Sequence, residues 1–167
     1  MNFVFSDFLK AAIRDSFSDA TGSTFNLRYW LSTPGPIYCA NTDNCGGGPI
    51  VAPNNVALDE GGYEIIFRQP SNDYELRQVI EAAECEPFEG YRFDGNSHWT
   101  PKLVDEWSSN RDALVKYVNK QLMATMNRSE HISYYLRASY DRWFEYIRHD
   151  LDTYLTEYKS GLISAQT

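Results

Sequence analysis

The sequence contains no apolar run long enough to cross a membrane, and it has no CxxC pair. Its N-terminal stretch carries no basic region ahead of the apolar residues, which argues against a secretory signal peptide. Only three cysteines are present, so one thiol stays unpaired even if Cys39 and Cys45 close a small loop and Cys85 remains free. We therefore expect a cytoplasmic protein with reduced thiols and no structural zinc. Whether Cys39 and Cys45 are bridged stays open.

Basic residues are the minority charge. Lys and Arg number 15 against 23 Asp and Glu, for a formal net charge of -8. Because a protein that binds the phosphate backbone needs a basic face, this charge argues against direct nucleic-acid binding. It suits a partner protein with a basic surface, since complementary fields steer association.

The composition is that of a folded globular chain. Hydrophobic residues make up 43% and charged residues 23%, and aromatic residues reach 15%, a high share that supplies large buried areas or adhesive surfaces. The length of 167 residues suits one domain. We expect a mixed part over 1–99, a helical hairpin over 100–160 and a tail over 161–167.

The stretch from Ser129 to Lys159 predicts one long helix. Ser129 is a suitable N-cap, Lys159 suits the last turn, and Gly161 is a plausible stop. Apolar residues recur at steps of three and four, which places them on one stripe: Ile132, Leu136, Tyr140, Trp143, Ile147, Leu151, Tyr154, Leu155 and Tyr158.

The N-terminal half predicts a first helix over Ser6–Ser18 and two strands. Thr24–Leu31 alternates apolar and polar residues, and Tyr63–Gln69 does so again. We expect these two strands to pair across the long loop Ser32–Asn55, which is rich in Pro, Gly and Asn.

Further elements follow the second strand. A helix runs from the turn at Asp73 to about Ala83, and Tyr91–Phe93 predicts a short strand. Thr100 caps a helix with Pro101 at its first position, and this helix pauses near Ser108–Asn110. The predicted fold is α+β, a small and mainly antiparallel sheet of two to three strands packed by helices, with a C-terminal helical hairpin ending in one long helix.

The loop from Cys39 to Gly48 resembles two ligand-binding loops but completes neither pattern. Asn41 and Asp43 mimic the start of a calcium loop, yet Ala52 stands where a bidentate glutamate is required. Gly46–Gly48 can expose backbone N–H groups to an anion, but no Lys-Ser/Thr pair follows them as in a P-loop. We expect no cofactor.

Cys45, His98 and Asp94 are candidates for nucleophilic catalysis, with Cys39 as the alternative thiol and Asn96 as the alternative orienting group. The chemistry needs a thiolate–imidazole pair held by a third group, and these residues would supply thiol, base and orienting group. Nothing in the sequence places the thiol at a helix N-terminus. The alternative is that His98 packs beside Trp99 as a structural residue.

Asp141, Glu145 and His149 are candidates for metal ligands. Their spacing of four places them on one face of the long helix, where a second helix could complete a site. Arg142 and Arg148 alternate with them, which favours an ordinary solvated face.

Aromatic residues that lie off the clearest apolar stripes are candidates for a partner-binding surface, because Tyr and Trp often anchor protein interfaces. The alternative is that they pin long loops to the core. The candidate set is Trp30, Tyr38, Asp43, Tyr91, Trp99, Tyr134 and Tyr135.

Together these features favour a non-enzymatic protein-binding module, a small acidic regulator, inhibitor or immunity-type protein that sequesters a partner. Mimicry of nucleic acid by acidic residues is one version. One alternative is a small enzyme or ligand-binding protein with a site between the loops 32–55 and 88–99. Another is a structural subunit that forms a homodimer through its C-terminal helices.

Overall fold

The structure is a computed structural model that describes residues 24–40, 42, 46–126 and 131–165. The predicted helix Ser6–Ser18 lies outside these residues, as do Asp43 and Cys45. The described residues form six helices: α1 (Gly48–Val51), α2 (Asp73–Cys85), α3 (Pro101–Ser108), α4 (Arg111–Met126), α5 (His131–His149) and α6 (Leu151–Ala165). They also form four strands: β1 (Tyr38–Cys39), β2 (Val56–Leu58), β3 (Glu64–Ile66) and β4 (Tyr91–Arg92).

The strands form two small antiparallel sheets. β1 pairs with β4, with Cys39 opposite Tyr91, and β2 pairs with β3, with Ala57 opposite Ile65. This confirms the predicted α+β class with a C-terminal helical pair. The predicted strand over Tyr63–Gln69 exists as β3, and that over Tyr91–Phe93 exists as β4.

The β2–β3 hairpin separates two hydrophobic cores. Ile65 and Phe67 face the larger core, which is shared with helices α3 to α6. Val56 and Ile66 face the smaller core, which α2 covers. Successive residues of a strand point to opposite faces, so a hairpin buried on both faces contributes to two cores.

Local capping rules fix the ends of two helices. The Asn72 side chain accepts a hydrogen bond from the backbone N–H of Glu75 at 2.9 Å, which starts α2. The Thr100 hydroxyl accepts one from Leu103 at 3.2 Å, which starts α3 with Pro101 at its first turn. The predicted pause near Ser108–Asn110 is confirmed as the turn between α3 and α4.

The prediction of one helix over Ser129–Lys159 was wrong in its continuity, because a turn at Asp150 separates α5 from α6. The guanidinium of Arg111, from α4, donates to the carbonyl of Ile147 at 2.8 Å and lies 3.1 Å from the Asp152 carboxylate. A side chain that enters the backbone hydrogen-bond ladder is a recognised cause of a helix break.

The predicted tail over 161–167 was also wrong where the structure describes it. α6 continues past Gly161 to Ala165, and Leu162 is buried in the larger core. The burial of Leu162 extends the helix beyond the glycine. None of the described helices is both long and apolar enough to cross a membrane.

The predicted strand over Thr24–Leu31 was wrong. The chain instead forms a 3-10 turn over Phe25–Leu27, and its supposed pairing with β3 is made by β2. The Arg28 guanidinium lies 4.1 Å from the centre of the Phe25 ring and donates to the Phe25 carbonyl at 2.8 Å. These short-range contacts fold the segment back on itself, so it cannot be extended.

The segment Ser32–Asn55 is not a structureless loop. It contains β1 and α1, whose apolar residues lie between the Pro and Gly clusters. Ile37, Cys39 and Ala52 are buried in the smaller core, and their burial orders the described parts of the segment.

We expect Arg111→Ala to lower the free energy of unfolding by about 2 kcal/mol, because a hydrogen bond from a charged donor is lost. Urea unfolding followed by circular dichroism measures this change. Lys116→Ala, an exposed change on the same helix, is the matched control and should alter stability by less than about 0.5 kcal/mol. Equal effects of the two substitutions would contradict the role assigned to Arg111.

Alkaline pH should destabilise the fold. Burial, the largest cause, raises the pKa of Tyr38 and of Tyr117 to about 12, and it also raises the pKa of Tyr140 and Tyr146. The unfolded chain releases these protons near pH ~10 while the folded chain keeps them, so the free energy of unfolding falls as pH rises from about 10 to about 12. Urea unfolding across this range measures the fall, and Tyr117→Phe should make it shallower. A flat profile would contradict the expectation.

Candidate functional site

Two pairs of contacting aromatic rings, Trp30 with Tyr117 and Tyr29 with Tyr63, are joined by the adjacent residues Tyr29 and Trp30. Together with Trp107, which binds the Trp30 backbone, they are here called the Trp30 surface. Trp30 is 50% exposed and Tyr63 is 41% exposed, whereas the other three are half-buried. The Trp30 ring meets the edge of Tyr117 with centroids 6.2 Å apart, and Tyr29 and Tyr63 lie 6.1 Å apart.

Hydrogen bonds fix the Trp30 surface to the neighbouring helices α3 and α4. The Trp107 indole N–H, on α3, donates to the backbone carbonyl of Trp30 at 2.7 Å. The backbone N–H of Glu60 donates to the Tyr117 hydroxyl, on α4, at 3.0 Å. Trp30 therefore projects from a segment fixed to two helices, although it stands in an irregular turn.

Acidic groups border this surface. The Asp59 carboxylate accepts hydrogen bonds from the backbone N–H groups of Gly61 and Tyr63, both at 2.8 Å. Its charge contributes, after burial, to the raised pKa of Tyr29. Glu60 pairs with Lys120 at 3.1 Å, and this hydrogen bond lowers the pKa of Glu60. Asp59 thus places a negative charge close enough to act on the Tyr29 ring.

Three aromatic residues predicted for a partner surface are buried, so their assignment to a surface was wrong. Tyr38 is 1% exposed, Tyr91 is 1% exposed and Trp99 is 3% exposed. Tyr38 and Trp99 pack around Phe25 with ring centroids 5.4 and 5.1 Å away. These residues pin the irregular segments to the core, which was the alternative interpretation.

Tyr134 and Tyr135 remain predictions for a surface at the start of α5. They are 71% and 51% exposed and contact each other edge to face at 5.7 Å. They lie on α5, which contributes no residue to the Trp30 surface. Asp43 lies outside the described residues.

Two of the three predicted catalytic residues come together. The His98 imidazole Nε2 lies 2.8 Å from the Asp94 carboxylate, and the imidazole stacks on Phe25 with centroids 5.0 Å apart. The third residue, Cys45, lies outside the described part of the chain. The pair has the geometry of a base with its orienting acid, and the stacking on Phe25 equally fits a structural role.

An internal carboxylate fills the anion site predicted at Gly46–Gly48. The buried Glu64 accepts a hydrogen bond from the Gly48 backbone N–H at 2.6 Å and another from the Tyr91 hydroxyl. A Cβ on Gly48 would lie 2.6 Å from a Glu64 oxygen, so this close approach requires glycine. The N-terminus of α1 therefore already binds a carboxyl group of the protein itself.

The predicted metal stripe on α5 is occupied by ion pairs. Glu145 lies 3.1 Å from His149, and Asp141 lies 3.8 Å from Arg137. Within the ranges that the structure describes, no group of three or more His, Cys, Asp or Glu side chains could hold a metal ion.

An open cleft of about 370 Å³ lies between α5 and the segment that follows β3. Its lining includes Asn54, Phe67, Arg68, Asp141, Arg142, Glu145, Tyr146 and Asp150. Asp141 and Glu145 were predicted here as metal ligands, whereas Tyr146 and Asp150 were not predicted for any site. The spacing of Arg142, Tyr146 and Asp150 by four residues was the available signal.

The two segments proposed to enclose a site, 32–55 and 88–99, are in direct backbone contact. The Gly95 N–H donates to the Pro36 carbonyl at 3.0 Å, and the Ala40 N–H donates to the Gly90 carbonyl at 3.0 Å. Cys39 opposes Tyr91 in the sheet between them. The cleft described above lies on α5 and not between these segments.

Comparison with known protein families, with curated proteins and with solved structures found no match to this chain.

The two described thiols should differ sharply in reactivity. Cys85 is exposed, whereas Cys39 is fully buried, and burial together with the charge of Glu64 raises the pKa of the Cys39 thiol. Because the thiolate is the reactive form, we expect iodoacetamide to modify Cys85 and spare Cys39 in the folded protein. Peptide mass spectrometry measures this, with modification of both thiols in denaturant as the control. Rapid alkylation of Cys39 in the folded protein would contradict its placement.

Proposed function

We propose that the protein is a protein-binding module whose Trp30 surface contacts a partner that presents basic side chains. The observation that carries the proposal is the half-exposed Trp30 ring, fixed in place by Trp107 and Tyr117. Large aromatic side chains near the centre of an interface dominate binding energy.

Preorganisation supports this role. The Trp30 backbone is tied to α3 and its ring rests on α4, so little conformational freedom is lost when a partner binds. Rigid aromatic anchors give contact area at a small entropic cost.

Charge indicates the chemistry of the partner. An exposed indole face attracts Arg and Lys through its quadrupole, and Asp59 places a carboxylate close to Tyr29. The net charge of -8 adds long-range attraction for a basic surface. We therefore infer a partner segment that places a cationic side chain on Trp30 and within reach of Asp59.

Mimicry of nucleic acid by acidic residues is not part of this proposal. Such mimicry needs an unbroken row of acids, whereas several acids of the described helices pair with cations. Glu106 pairs with Lys102, Asp105 with Lys159, and Glu145 with Arg148.

The test is recovery of a partner by photocrosslinking from the source cells. A photoreactive amino acid is placed at Leu27, which is 67% exposed and lies close to Trp30 in the chain. We expect one or a few proteins to crosslink, and Trp30→Ala to lower their recovery by at least about tenfold. Tyr74→Ala is the matched control, because Tyr74 is 69% exposed on α2.

Asp59→Asn tests the charge separately from the shape, because the amide oxygen can still accept both backbone hydrogen bonds. It should weaken binding of the recovered partner and reduce the dependence of that binding on salt. Equal recovery with the wild-type chain, Trp30→Ala and Tyr74→Ala would overturn the proposal.

A further inference from the structure

The contacts around Trp30 close into a circuit. Its ring meets that of Tyr117 with centroids 6.2 Å apart, and the Tyr117 hydroxyl accepts the Glu60 backbone N–H at 3.0 Å. Glu60 belongs to the turn that leads to Tyr63, whose ring lies 6.1 Å from that of Tyr29. Tyr29 precedes Trp30 in the chain. Contacts that return to their starting residue surround one area, so the four rings border a common part of the Trp30 surface.

Two of these rings are open to solvent. Trp30 is 50% exposed and Tyr63 is 41% exposed. The planes of Trp30 and Tyr117 are 77° apart, so the two rings form a corner. The face of an aromatic ring carries partial negative charge, and a cation in such a corner contacts two rings at once.

A carboxylate adds negative charge to the same surface. Asp59 accepts hydrogen bonds from the backbone N–H groups of Gly61 and Tyr63, both at 2.8 Å. Burial, the largest cause, raises the pKa of both Tyr29 and Tyr117, and the charge of Asp59 raises both further. This charge therefore acts on rings from both parts of the circuit and favours a cation over an anion.

Several hydrogen-bond acceptors at this surface are already engaged by donors of the protein itself. One oxygen of Asp59 accepts two backbone N–H groups, and the Tyr117 hydroxyl accepts a third. The Glu60 carboxylate lies 3.1 Å from the Lys120 ammonium and 3.3 Å from the Gln121 amide. A lysine ammonium is strongly hydrated and needs new acceptors when it leaves water. The Trp30 surface offers it mainly aromatic faces instead.

We propose that the Trp30 surface binds a trimethylated lysine side chain of the partner protein. The lysine belongs to the partner, so the inference rests on the function proposed above. A trimethylammonium group keeps its positive charge and has no N–H donor to satisfy. Aromatic side chains recognise such groups through cation–π attraction. The group packs between Trp30 and Tyr117, and Asp59 attracts it through its charge.

The choline headgroup of a lipid carries the same trimethylammonium group. The net charge of -8 opposes approach to a membrane surface that contains anionic lipids, which favours a protein side chain. Vesicles of phosphatidylcholine are therefore included in the test.

The test is a titration of the isotope-labelled full-length protein with N-acetyl-trimethyl-lysine amide, followed by the Trp30 indole N–H and the amides of residues 59–63. We expect saturable shifts at millimolar ligand. Two ligands of the same length are the controls. The unmethylated lysine derivative keeps the charge but needs acceptors, and the analogue with carbon in place of the ammonium nitrogen keeps the shape without the charge. Each should bind at least about tenfold more weakly.

Substitutions test the protein side through the same amides. Trp30→Ala should weaken binding of the trimethyl-lysine derivative by at least about tenfold, with Trp30→Phe in between because it keeps a ring. Asp59→Asn should weaken binding by about threefold and reduce its dependence on salt. Tyr74→Ala and Asp112→Asn make matching changes at exposed positions of α2 and α4 and should leave binding unchanged. The unfolding transition of each variant confirms that it is folded.

Absence of saturable shifts with the trimethyl-lysine derivative would overturn the inference. Equal binding of the three ligands, or unchanged binding in Trp30→Ala, would do the same. Binding to phosphatidylcholine vesicles that Trp30→Ala abolishes would assign the surface to a lipid and would also contradict the inference.

Photocrosslinking reports on the proposed function separately. A crosslinked protein whose recovery depends on Trp30, without any response to the trimethyl-lysine derivative, would overturn only the identity of the cation. Saturable shifts without any crosslinked protein would support the trimethylammonium site and contradict the proposed function. Failure of one proposal is therefore distinguishable from failure of the other.

Discussion

The rest of the structure depends on the contacts that the Trp143 indole makes in the core. It is fully buried and stacks on Phe67 at 5.8 Å and on Tyr140 at 6.1 Å, and it meets Tyr117 at 6.2 Å. These contacts join α5 to α4 and to the segment that follows β3. Aromatic rings of this size bury large areas and prefer defined relative orientations, so one residue sets the spacing between helices and sheet.

Both candidate sites extend from this aromatic core. Tyr117 contacts Trp143 on its inner side and Trp30 on its outer side. Phe67 contacts Trp143 and Tyr146 and also lines the cleft. The Trp30 surface and the cleft thus lie at two ends of one continuous set of packed rings. Close packing transmits displacement between neighbours, so the rigidity of each site derives from the same core.

Features that depend on neighbouring residues could be predicted from the sequence. The caps at Asn72 and Thr100, the pause after Ser108 and the helical period of α5 all follow from local rules. The α+β class follows from the same elements. Among the proposed surface aromatics, Trp30 alternates with the polar residues Asn26 and Arg28, a pattern that indicates exposure, whereas Trp99 lies off the apolar stripes and is nevertheless buried.

Features set by distant contacts could not be predicted. The break at Asp150 depends on Arg111, which belongs to another helix. β2 is buried on both faces, so it shows none of the alternation by which half-buried strands are recognised. The cleft needs Phe67 and Arg68 opposite α5, and the sequence of α5 alone does not indicate what lies across from it.

The pairing of β1 with β4 has a consequence for the order in which the chain folds. The β2–β3 hairpin and the pair of helices α4 and α5 join elements that are neighbours in the sequence. β1 pairs with β4, and β2, β3 and α2 lie between them in the sequence. In the folded protein Gly95 lies so close to Gly35 that a Cβ on Gly95 would lie 2.1 Å from the Gly35 carbonyl oxygen. Closing a long loop has an entropic cost that slows the formation of distant contacts. We therefore expect the helical pair to form early and the β1–β4 sheet to form late. The segment that carries Trp30 would then be ordered last, because its Tyr29 N–H donates to the Cys39 carbonyl.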